Sequence, residues 1–346
     1  MKAYAGLKKN KKTVAVIFGG KGAEHDISVL SGKFVMKSID RDGLSVLPVF
    51  IDRGGDWYLQ NGKKNVPVSP VRKRGKGGLL RGRRFVELDA AFPILHGDFG
   101  EDGRVQGLLE ALGIPFVGCD TQGGALAADK VFTKALAHSI GIPTLPWLSS
   151  AGKTREEFSS ECERTFGFPI FIKPARLGSS IGAGAAKDRE ELEEKVRAAY
   201  EISAGTVMAE PCLCGARELE CAYLRTGGKT HVTPPGEIRL SGDGFYCYEE
   251  KYGEKSRAEI FRKADVPEEI SNEVRKYSEA LCLAAGIKGI ARIDFFLHGE
   301  KIYFNEINTM PGMTEASLYP AMIEGIGITP TEMITGLVKD IIGGAV

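Results

Sequence analysis

The sequence has no excess of charge of either sign, because 46 lysine and arginine residues nearly balance 45 aspartate and glutamate residues. This balance argues against a nucleic-acid partner, which normally requires a strong basic field. Two short segments are nevertheless basic, Lys8–Lys12 and Val71–Arg84. We interpret the first as a solvated tail and the second as an exposed hairpin or insertion, rather than as polyanion sites.

Long apolar runs and ordered cysteine spacings are also missing. No apolar run approaches the roughly 20 residues of a membrane span, and the first 20 residues lack the pattern of a secretory signal. The seven cysteines show no paired metal-ligand spacing, although Cys212, Cys214 and Cys221 lie near one another. We therefore expect free thiols, no membrane partner and a cytoplasmic location.

With 346 residues, the chain is too long for one ordinary core, so we expect two or three domains. Val14–Phe18 is a continuous apolar run that ends in a glycine pair, which predicts a buried parallel strand followed by a helix near Ala23–Ile39. Further alternation of strands and helices predicts an open α/β sheet over residues 1–121. The fold class is therefore mixed α/β.

The rest of the chain divides into two predicted domains. A β-loop-β-α-β pattern indicates a small clamp domain over residues 122–213, and residues 214–346 form a strand-rich domain. Within it, residues 241–256 form a long polar loop that contains aromatics and the sequence EEKY (Glu249–Tyr252). This composition favours an active-site lid over a linker, although most loops of this kind are simply surface.

The segment Ala291–Thr314 carries the strongest chemical signal. Arg292, Asp294, Glu306 and Asn308 lie in two apolar, strand-like runs, where polar groups cost free energy unless they are paired. Carboxylate and amide oxygens are ligands that Mg²⁺ prefers, and arginine suits a phosphate or an oxyanion. We predict a magnesium–nucleotide phosphate site; the alternative is a buried Arg–Asp–Glu network without a ligand.

This site depends on the register of the two strands. A three-residue turn, Gly299–Lys301, would place Asp294 opposite Glu306 and Arg292 opposite Asn308. A two-residue turn would put the two pairs on opposite faces of the sheet and exclude a shared metal site.

Three loops that follow predicted strands carry further candidates. Lys173 precedes a Gly/Ser-rich loop suited to phosphates, although the segment is not a P-loop and could be a hairpin turn. Glu24, at a helix start, could hold the charged end of a zwitterion or be a first-turn acid. His96 follows a strand, where ligands usually bind in open sheets, or it is a structural histidine.

A fourth segment, around Glu210, Glu218 and Glu220, could accept hydrogen bonds from adenine and ribose, or these residues could be solvated acids.

The motifs of this chain, taken in order, resemble those of D-alanine–D-alanine ligases of the ATP-grasp superfamily. They are GGKGAEHDIS, HGDFGEDGRVQGLLE, KPARLGSSIG, EEKY, ARIDFF and NEINTMPGMTEASLYP. The resemblance runs from about Thr13 to the C-terminus. It implies an ATP-grasp fold with ATP between the second and third domains, and synthesis of D-alanyl-D-alanine for peptidoglycan through an acyl phosphate.

The resemblance also implies a role for each matching residue. ATP would contact Lys130, Lys173, Ser180, Glu210, Leu213, Glu218, Lys251 and Phe296. Two Mg²⁺ (or Mn²⁺) ions would be bound by Asp294, Glu306 and Asn308. The stretch from Glu210 to Glu218 is one residue longer than the common pattern of the family. The adenine contacts therefore match the pattern less well than the metal ligands do.

The same resemblance implies the substrate contacts. Glu24 would bind the ammonium group of the first D-alanine, with His96 nearby, and Ser317 and Leu318 would bind the carboxylate of the second. Arg292 and the Gly312 N–H would stabilise the oxyanion. Tyr252, Ser179 and Glu24 would form a hydrogen-bonded set that orders the lid and helps to deprotonate the incoming amine.

In the family that these motifs resemble, a tyrosine at the position of Tyr252 accompanies amide-forming ligases, so the resemblance implies an amide product. A polar lid set that stabilises a neutral amine would be the physical reason. A sister ligase that uses D-serine or D-lactate as second substrate is the nearest alternative. A biotin-dependent carboxylase component and a non-enzymatic nucleotide-binding module fit the motifs less well. The resemblance further implies a homodimer.

Overall fold

The computed structural model describes residues 11–62, 64–203, 206–240 and 258–344. The predicted lid, 241–256, therefore lies outside the described residues, together with Lys251 and Tyr252. The described residues form four β-sheets with helices packed against them, so the predicted mixed α/β class is confirmed. None of the helices in these ranges is long and apolar enough to cross a membrane.

The first sheet has the strand order β4-β3-β2-β1-β8, in which β1 pairs in parallel with β2 and β8. Its strands are β1 (Lys12–Gly19), β2 (Leu44–Ile51), β3 (Trp57–Asn61), β4 (Lys64–Pro67) and β8 (Ala90–Pro93). Every residue of β1 after Lys12 is buried, as its continuous apolar run predicts. Helix α1 (His25–Ser38) packs so closely that a Cβ on Gly32 would lie 2.6 Å from the Phe18 ring.

The basic segment forms a small antiparallel sheet, as the predicted hairpin requires. Its strands are β5 (Ser69–Lys73), β6 (Lys76–Arg81) and β7 (Arg84–Glu87). Helix α2 (Arg104–Leu112) covers one side, where a Cβ on Gly77 would lie 2.7 Å from the Leu112 carbonyl oxygen. The basic residues of this sheet are exposed, apart from Arg81, which is half-buried.

The next part of the chain builds a four-stranded sheet with the order β11-β10-β12-β9. Its strands are β9 (Leu148–Ser149), β10 (Ile170–Pro174), β11 (Gly184–Ala186) and β12 (Val207–Pro211). Helices α3 (Thr121–Ala127) and α4 (Lys130–Ser139) precede this sheet in the chain. Helices α5 (Arg155–Phe166) and α6 (Arg189–Ile202) lie between its strands in the chain. Buried side chains of α5 and α6, such as Phe158 and Val196, pack against this sheet.

The last sheet has the order β16-β15-β13-β17-β18, with β14 paired to β13. Its strands are β13 (Arg217–Thr226), β14 (Lys229–Val232), β15 (Gly236–Leu240), β16 (Ala258–Phe261), β17 (Ile290–His298) and β18 (Lys301–Asn308). The remaining helices are α7 (Glu268–Ala284), α8 (Leu318–Gly325) and α9 (Pro330–Gly343). One apolar core joins the first sheet to the last through α8 and α9, and α7 covers a second core.

The register of β17 and β18 corrects the sequence-based prediction. His298 pairs with Lys301, so the turn has two residues, Gly299 and Glu300, rather than the three that the shared site was expected to require. Asp294 nevertheless lies opposite Glu306, and Arg292 opposite Asn308, because a β-bulge follows Asp294. The bulge leaves an extra residue, Asn305, on β18 and restores the shared face. The inference that a two-residue turn excludes the shared site assumed a regular ladder, and it was wrong for that reason.

Candidate active site

A cavity of about 340 Å³ lies where the glycine-rich loops of the first part of the chain meet the last sheet. Its lining contains a large part of the predicted site: Glu24, His96, Lys130, Ser179, Arg292, Glu306, Asn308, Gly312, Ser317 and Leu318. Asp294 is not part of the lining but contacts Arg292 and Asn308 there. The other described candidates lie outside this lining: Lys173, Ser180, Glu210, Leu213, Glu218 and Phe296.

The floor of the cavity is one face of the β17–β18 pair. Along β17, residues 292, 294 and 296 are half-buried, whereas their neighbours 291, 293 and 295 are buried in the core. Arg292 donates from Nε and Nη2 to the two oxygens of Asp294, at 2.8 and 2.7 Å. Asn308 Nδ2 donates to Asp294 Oδ2 at 3.0 Å, so Asp294 does not engage the amide oxygen of Asn308.

Arg292 is also in contact with Glu220, whose Oε2 lies 3.3 Å from Nε. Burial alone would lower the pKa of Arg292, but Asp294 and Glu220 raise the pKa well above its ordinary value. The guanidinium is therefore a fixed positive charge at the floor of the cavity. Such a group is suited to an oxyanion.

Lys130 connects the sheet to the glycine-rich loop after β10. Its Nζ lies 3.0 Å from Glu306 Oε2 and donates to the Leu177 carbonyl at 2.9 Å. Asp129 caps the start of α4 by accepting from two backbone N–H groups, and it also accepts from Arg176 Nε at 2.8 Å. The start of α4, and with it Lys130, is thus anchored to this loop.

A buried ion-pair group lies on β10 and β12, the two central strands of the four-stranded sheet. Lys173 Nζ donates to Glu210 Oε1 at 2.6 Å and to Asn305 Oδ1 at 3.0 Å. Lys134 Nζ lies 2.8 Å from Glu210 Oε2. Burial alone would raise the pKa of Glu210, but Lys134 and Lys173 more than offset it and hold the pKa at about 2.

Two loops converge on Glu24. Ser179 Oγ donates to Glu24 Oε1 at 2.6 Å, although Ser179 has a φ of 53°, in the left-handed region. On the opposite side, a Cβ on Gly97 would lie 2.0 Å from Glu24 Oε2. A side chain at position 97 would therefore displace this carboxylate from its present position. Tyr252, the third member of the predicted set, lies outside the described residues.

His96 is fixed by the protein on both ring nitrogens. Nδ1 lies 2.8 Å from the Met310 carbonyl oxygen and must donate to it, so Nε2 accepts from Ser31 Oγ at 2.8 Å. Burial lowers the pKa of His96, which favours this neutral form. His96 therefore lines the cavity but has both of its polar atoms engaged, which favours the structural interpretation.

The last wall of the cavity precedes α8. The Thr314 N–H donates to Ser317 Oγ at 3.0 Å, and the Ser317 N–H donates to the Thr314 carbonyl at 3.1 Å. A Cβ on Gly312 would lie 3.2 Å from Ser317 Oγ, so this turn packs its backbone closely against the serine. The turn presents Ser317 and Leu318 at the start of α8.

Family models account for most of the chain. The model described as "D-ala D-ala ligase N-terminus" matches residues 13–119, and that described as "D-ala D-ala ligase C-terminus" matches residues 136–339. The chain belongs to the D-alanine–D-alanine ligase family. The resemblance seen in its motifs is thereby confirmed, and with it membership of a family of ATP-dependent ligases.

Individual relatives agree with this family. The D-alanine–D-alanine ligases of Caldicellulosiruptor bescii and Chlorobaculum tepidum are 38% and 36% identical to this chain, over 95% of its length and 94% and 96% of theirs. The VanG D-Ala:D-Ser ligase from Enterococcus faecalis is 34% identical with a TM-score of 0.87, over 96% of this chain and 99% of that one. The D-alanyl-alanine synthetase A of Vibrio cholerae is 29% identical with a TM-score of 0.88, over the same shares. The predicted ATP-grasp fold is confirmed by these structural neighbours.

In this member of the ligase family, the predicted adenine and ribose contacts lie further along the sheet. Glu218 on β13 is the cross-strand partner of Phe296 on β17, so the two side chains share a face. Leu213 is half-buried in the linker between β12 and β13.

Sequence reasoning missed several residues of this ligase-family site, namely Ser31, Glu101, Lys134 and Asn305. Lys134 follows Lys130 by four residues on α4, and this i, i+4 spacing was the available signal. Glu101 accepts from the Gly97 N–H at 3.1 Å. Burial, and then the Glu24 charge, raise the pKa of Glu101 to about 8.

Proposed function

We propose that this chain ligates two D-alanines to D-alanyl-D-alanine, with ATP as the energy source, for peptidoglycan precursor synthesis. The observation that carries the proposal is the convergence of the Glu24–Ser179 pair, Arg292 and the Lys130–Glu306 pair on one cavity. The group combines an acceptor for an ammonium ion, a cation for an oxyanion and a cation for phosphates. The names of the relatives point to the same reaction.

ATP would lie between the four-stranded sheet and the last sheet. We assign Lys130 and Lys173 to its phosphates, because each is a buried ammonium group beside the glycine-rich loop or β10. Ser180 belongs to that loop, and the remaining nucleotide contacts would be Glu210, Leu213, Glu218 and Phe296. Lys251 would meet the transferred γ-phosphate and lies outside the described residues.

The oxygen donors of the last sheet fit a hard divalent cation. Asp294, Glu306 and Asn308 share one face of the β17–β18 pair, and cationic side chains, Arg292 and Lys130, lie against the two carboxylates. We propose that these three residues hold two Mg²⁺ or Mn²⁺ ions. When bound, such ions neutralise charge between the phosphates during transfer.

The first step joins the first D-alanine to phosphate. Glu24 would hold the ammonium group of this D-alanine. A carboxylate oxygen of the D-alanine then attacks the γ-phosphorus, and ADP leaves. Glu24 is oriented for this by Ser179 on one side and by the space at Gly97 on the other. Two loops thus fix one carboxylate.

The second step forms the amide bond. The neutral amine of the second D-alanine attacks the acyl carbon, its nitrogen loses a proton to the proposed set of Tyr252, Ser179 and Glu24, and phosphate leaves as the acyl–oxygen bond breaks. Ser317 and Leu318 would bind the carboxylate of this substrate. Arg292 and the Gly312 N–H would stabilise the tetrahedral oxyanion, for which Arg292 is already oriented by Asp294.

A D-serine-incorporating ligase is a second candidate, because the VanG D-Ala:D-Ser ligase from Enterococcus faecalis is among the similar structures. D-Lactate is a further possible second substrate. The predicted role of Tyr252 favours an amine nucleophile, which does not separate D-alanine from D-serine. The identity of the dipeptide product distinguishes D-alanine from D-serine as the second substrate.

The test is Mg²⁺- and ATP-dependent phosphate release with D-alanine alone, then with D-serine or D-lactate added, with products identified by mass. Release with D-alanine alone, giving D-alanyl-D-alanine, is the expected result. Release only with an added partner would replace the proposal by a mixed-product ligase. ATP binding without release under any condition would overturn ligase activity.

Domain boundaries near residues 121 and 213, a homodimer and a cytoplasmic location stay predictions. Size-exclusion chromatography with light scattering tests the dimer directly. A monomeric mass at micromolar concentration would contradict it.

A further inference from the structure

Lys134 is a fully buried lysine that has no part in the mechanism above. Its side chain has 0% exposure, and Nζ lies 2.8 Å from Glu210 Oε2. The other carboxylate oxygen accepts from Lys173 Nζ at 2.6 Å. Glu210 is therefore enclosed between two ammonium groups, one from α4 and one from β10.

The second lysine changes the charge of the group. With Lys173 alone, Glu210 would form a neutral pair, and the ammonium group would have little attraction left for a phosphate. With Lys134 present, two ammonium groups face one carboxylate, which leaves one positive charge. A buried net charge costs free energy unless an opposite charge joins it, so the group favours an anionic ligand.

The excess charge lies next to the proposed phosphate site. Lys173 Nζ donates to Asn305 Oδ1 at 3.0 Å, and Asn305 is the bulge residue that directly precedes Glu306. Glu306 lines the cavity and lies 3.0 Å from Lys130 Nζ. Lys134 itself is not part of the cavity lining.

We infer that Lys134 is a positioning residue for the nucleotide: by occupying one oxygen of Glu210, it leaves Lys173 as an effective cation for the phosphates of ATP. The inference rests on the proposed function, in which Lys173 binds those phosphates. It assigns Lys134 a role exerted through Glu210 and Lys173, without contact to the substrate.

The test compares ATP with adenosine, which lacks the phosphates. In Lys134→Met, we expect the affinity of the full-length chain for ATP, measured by isothermal titration, to fall about tenfold or more. Adenosine affinity should change by less than about threefold, because Lys134 acts on charge at the phosphates. Lys153→Met is the matched control, since Lys153 pairs with Glu161 at a partly exposed site and should leave both affinities unchanged.

Two further variants keep the inference testable if Lys134→Met does not fold. Lys134→Arg retains the charge and should retain the preference for ATP over adenosine. The double variant Lys134→Met/Glu210→Gln removes one ammonium group and the carboxylate together, so the group keeps one positive charge. It leaves Lys173 unopposed, so its ATP-to-adenosine affinity ratio should return towards that of the wild type.

Three results would overturn the inference. The first is an equal loss of affinity for ATP and for adenosine in Lys134→Met. The second is a lower melting temperature of Lys134→Met with an unchanged ratio of ATP affinity to adenosine affinity. The third is a ratio well below that of the wild type in Lys134→Arg or in the double variant. A wild-type chain that fails to bind ATP would instead overturn the proposed function, and this inference with it. The wild-type titration therefore separates the two failures.

Discussion

The guanidinium of Arg292 donates two parallel hydrogen bonds to the carboxylate of Asp294, at 2.8 and 2.7 Å. The two residues are separated by one position on β17, so the side-chain period of a strand places both on the cavity face. This two-point contact requires the planar fork of arginine, which lysine lacks. The direction of the guanidinium is thus set by the strand itself.

Arg292→Lys should therefore keep the charge and lose the orientation. We expect kcat to fall about 100-fold, because the oxyanion loses an aimed donor, while KM for ATP changes by less than about threefold. Steady-state phosphate release measures both constants. Arg217→Lys is the matched control: it breaks a similar two-point pair with Glu237 on the same sheet, outside the cavity lining. Equal losses of kcat in the two variants would assign the effect to the sheet rather than to the site.

The Mg²⁺ concentration that phosphate release requires should depend on Glu306. In Glu306→Gln, we expect the Mg²⁺ concentration for half-maximal phosphate release to rise about tenfold or more, because a carboxylate ligand is replaced by a neutral amide. Chelation with EDTA should abolish release by the wild type, and Mn²⁺ should restore it. Glu300→Gln, in the exposed turn of the same strand pair, is the control. An unchanged Mg²⁺ requirement in Glu306→Gln would remove Glu306 from the metal ligands.

Sequence alternation alone predicted which side chains share the β17–β18 face, but not how they come to share it. A period of two tells which residues point one way, whereas a bulge depends on where the ladder admits an extra residue. The two successive polar residues Asn305 and Glu306 interrupt the alternation of β18 and mark the position of the bulge. The condition on turn length was wrong because it assumed a regular ladder between the turn and Asp294.

Contacts between distant parts of the chain were beyond sequence reasoning. The tautomer of His96 is set by the Met310 carbonyl, 214 residues further along the chain. Lys134 lies on a helix with mixed polar and apolar residues, where a lysine is normally expected at the surface. Its burial follows from the position of Glu210 on another element, which the i, i+4 spacing from Lys130 does not reveal. Motif order identified the family, while the packing around the motifs required the structure.

Ser179 offers a test of the contact with Glu24. Ser179→Ala removes the hydroxyl that donates to Glu24 at 2.6 Å. We expect kcat to fall about tenfold or more, because a buried charge-assisted hydrogen bond is lost, with KM for D-alanine also raised. Initial rates over a D-alanine series give both constants.

Ser179→Gly distinguishes the hydroxyl from the backbone. Glycine also lacks the hydroxyl, but it adopts a φ of 53° without strain. Equal losses in the alanine and glycine variants are expected if the hydrogen bond matters. Wild-type rates in Ser179→Gly would show that the position requires only a left-handed backbone.

Glu101 should make the stability of the fold depend on pH. Burial, and then the neighbouring Glu24, raise its pKa from 4.5 to about 8, against the lowering effects of the Gly97 N–H and Arg292. Between these two pH values the folded state holds a proton that the unfolded state has lost. The free energy of unfolding therefore falls as pH rises through this window, by at most about 5 kcal/mol from this group.

Glu101→Gln isolates this contribution, because glutamine is neutral throughout and can still accept from the Gly97 N–H. Urea unfolding of both proteins at pH 5, 6, 7 and 8 should show the wild type losing stability relative to the variant as pH rises (roughly 1.4 kcal/mol for each full unit in which only the folded state is protonated). His96 lies nearby, 3.9 Å from Glu101 Oε1, but burial lowers its pKa, which moves its titration away from that of Glu101. Parallel stability profiles for the two proteins would show that Glu101 is ionised in the folded state, with Arg292 stabilising its charge.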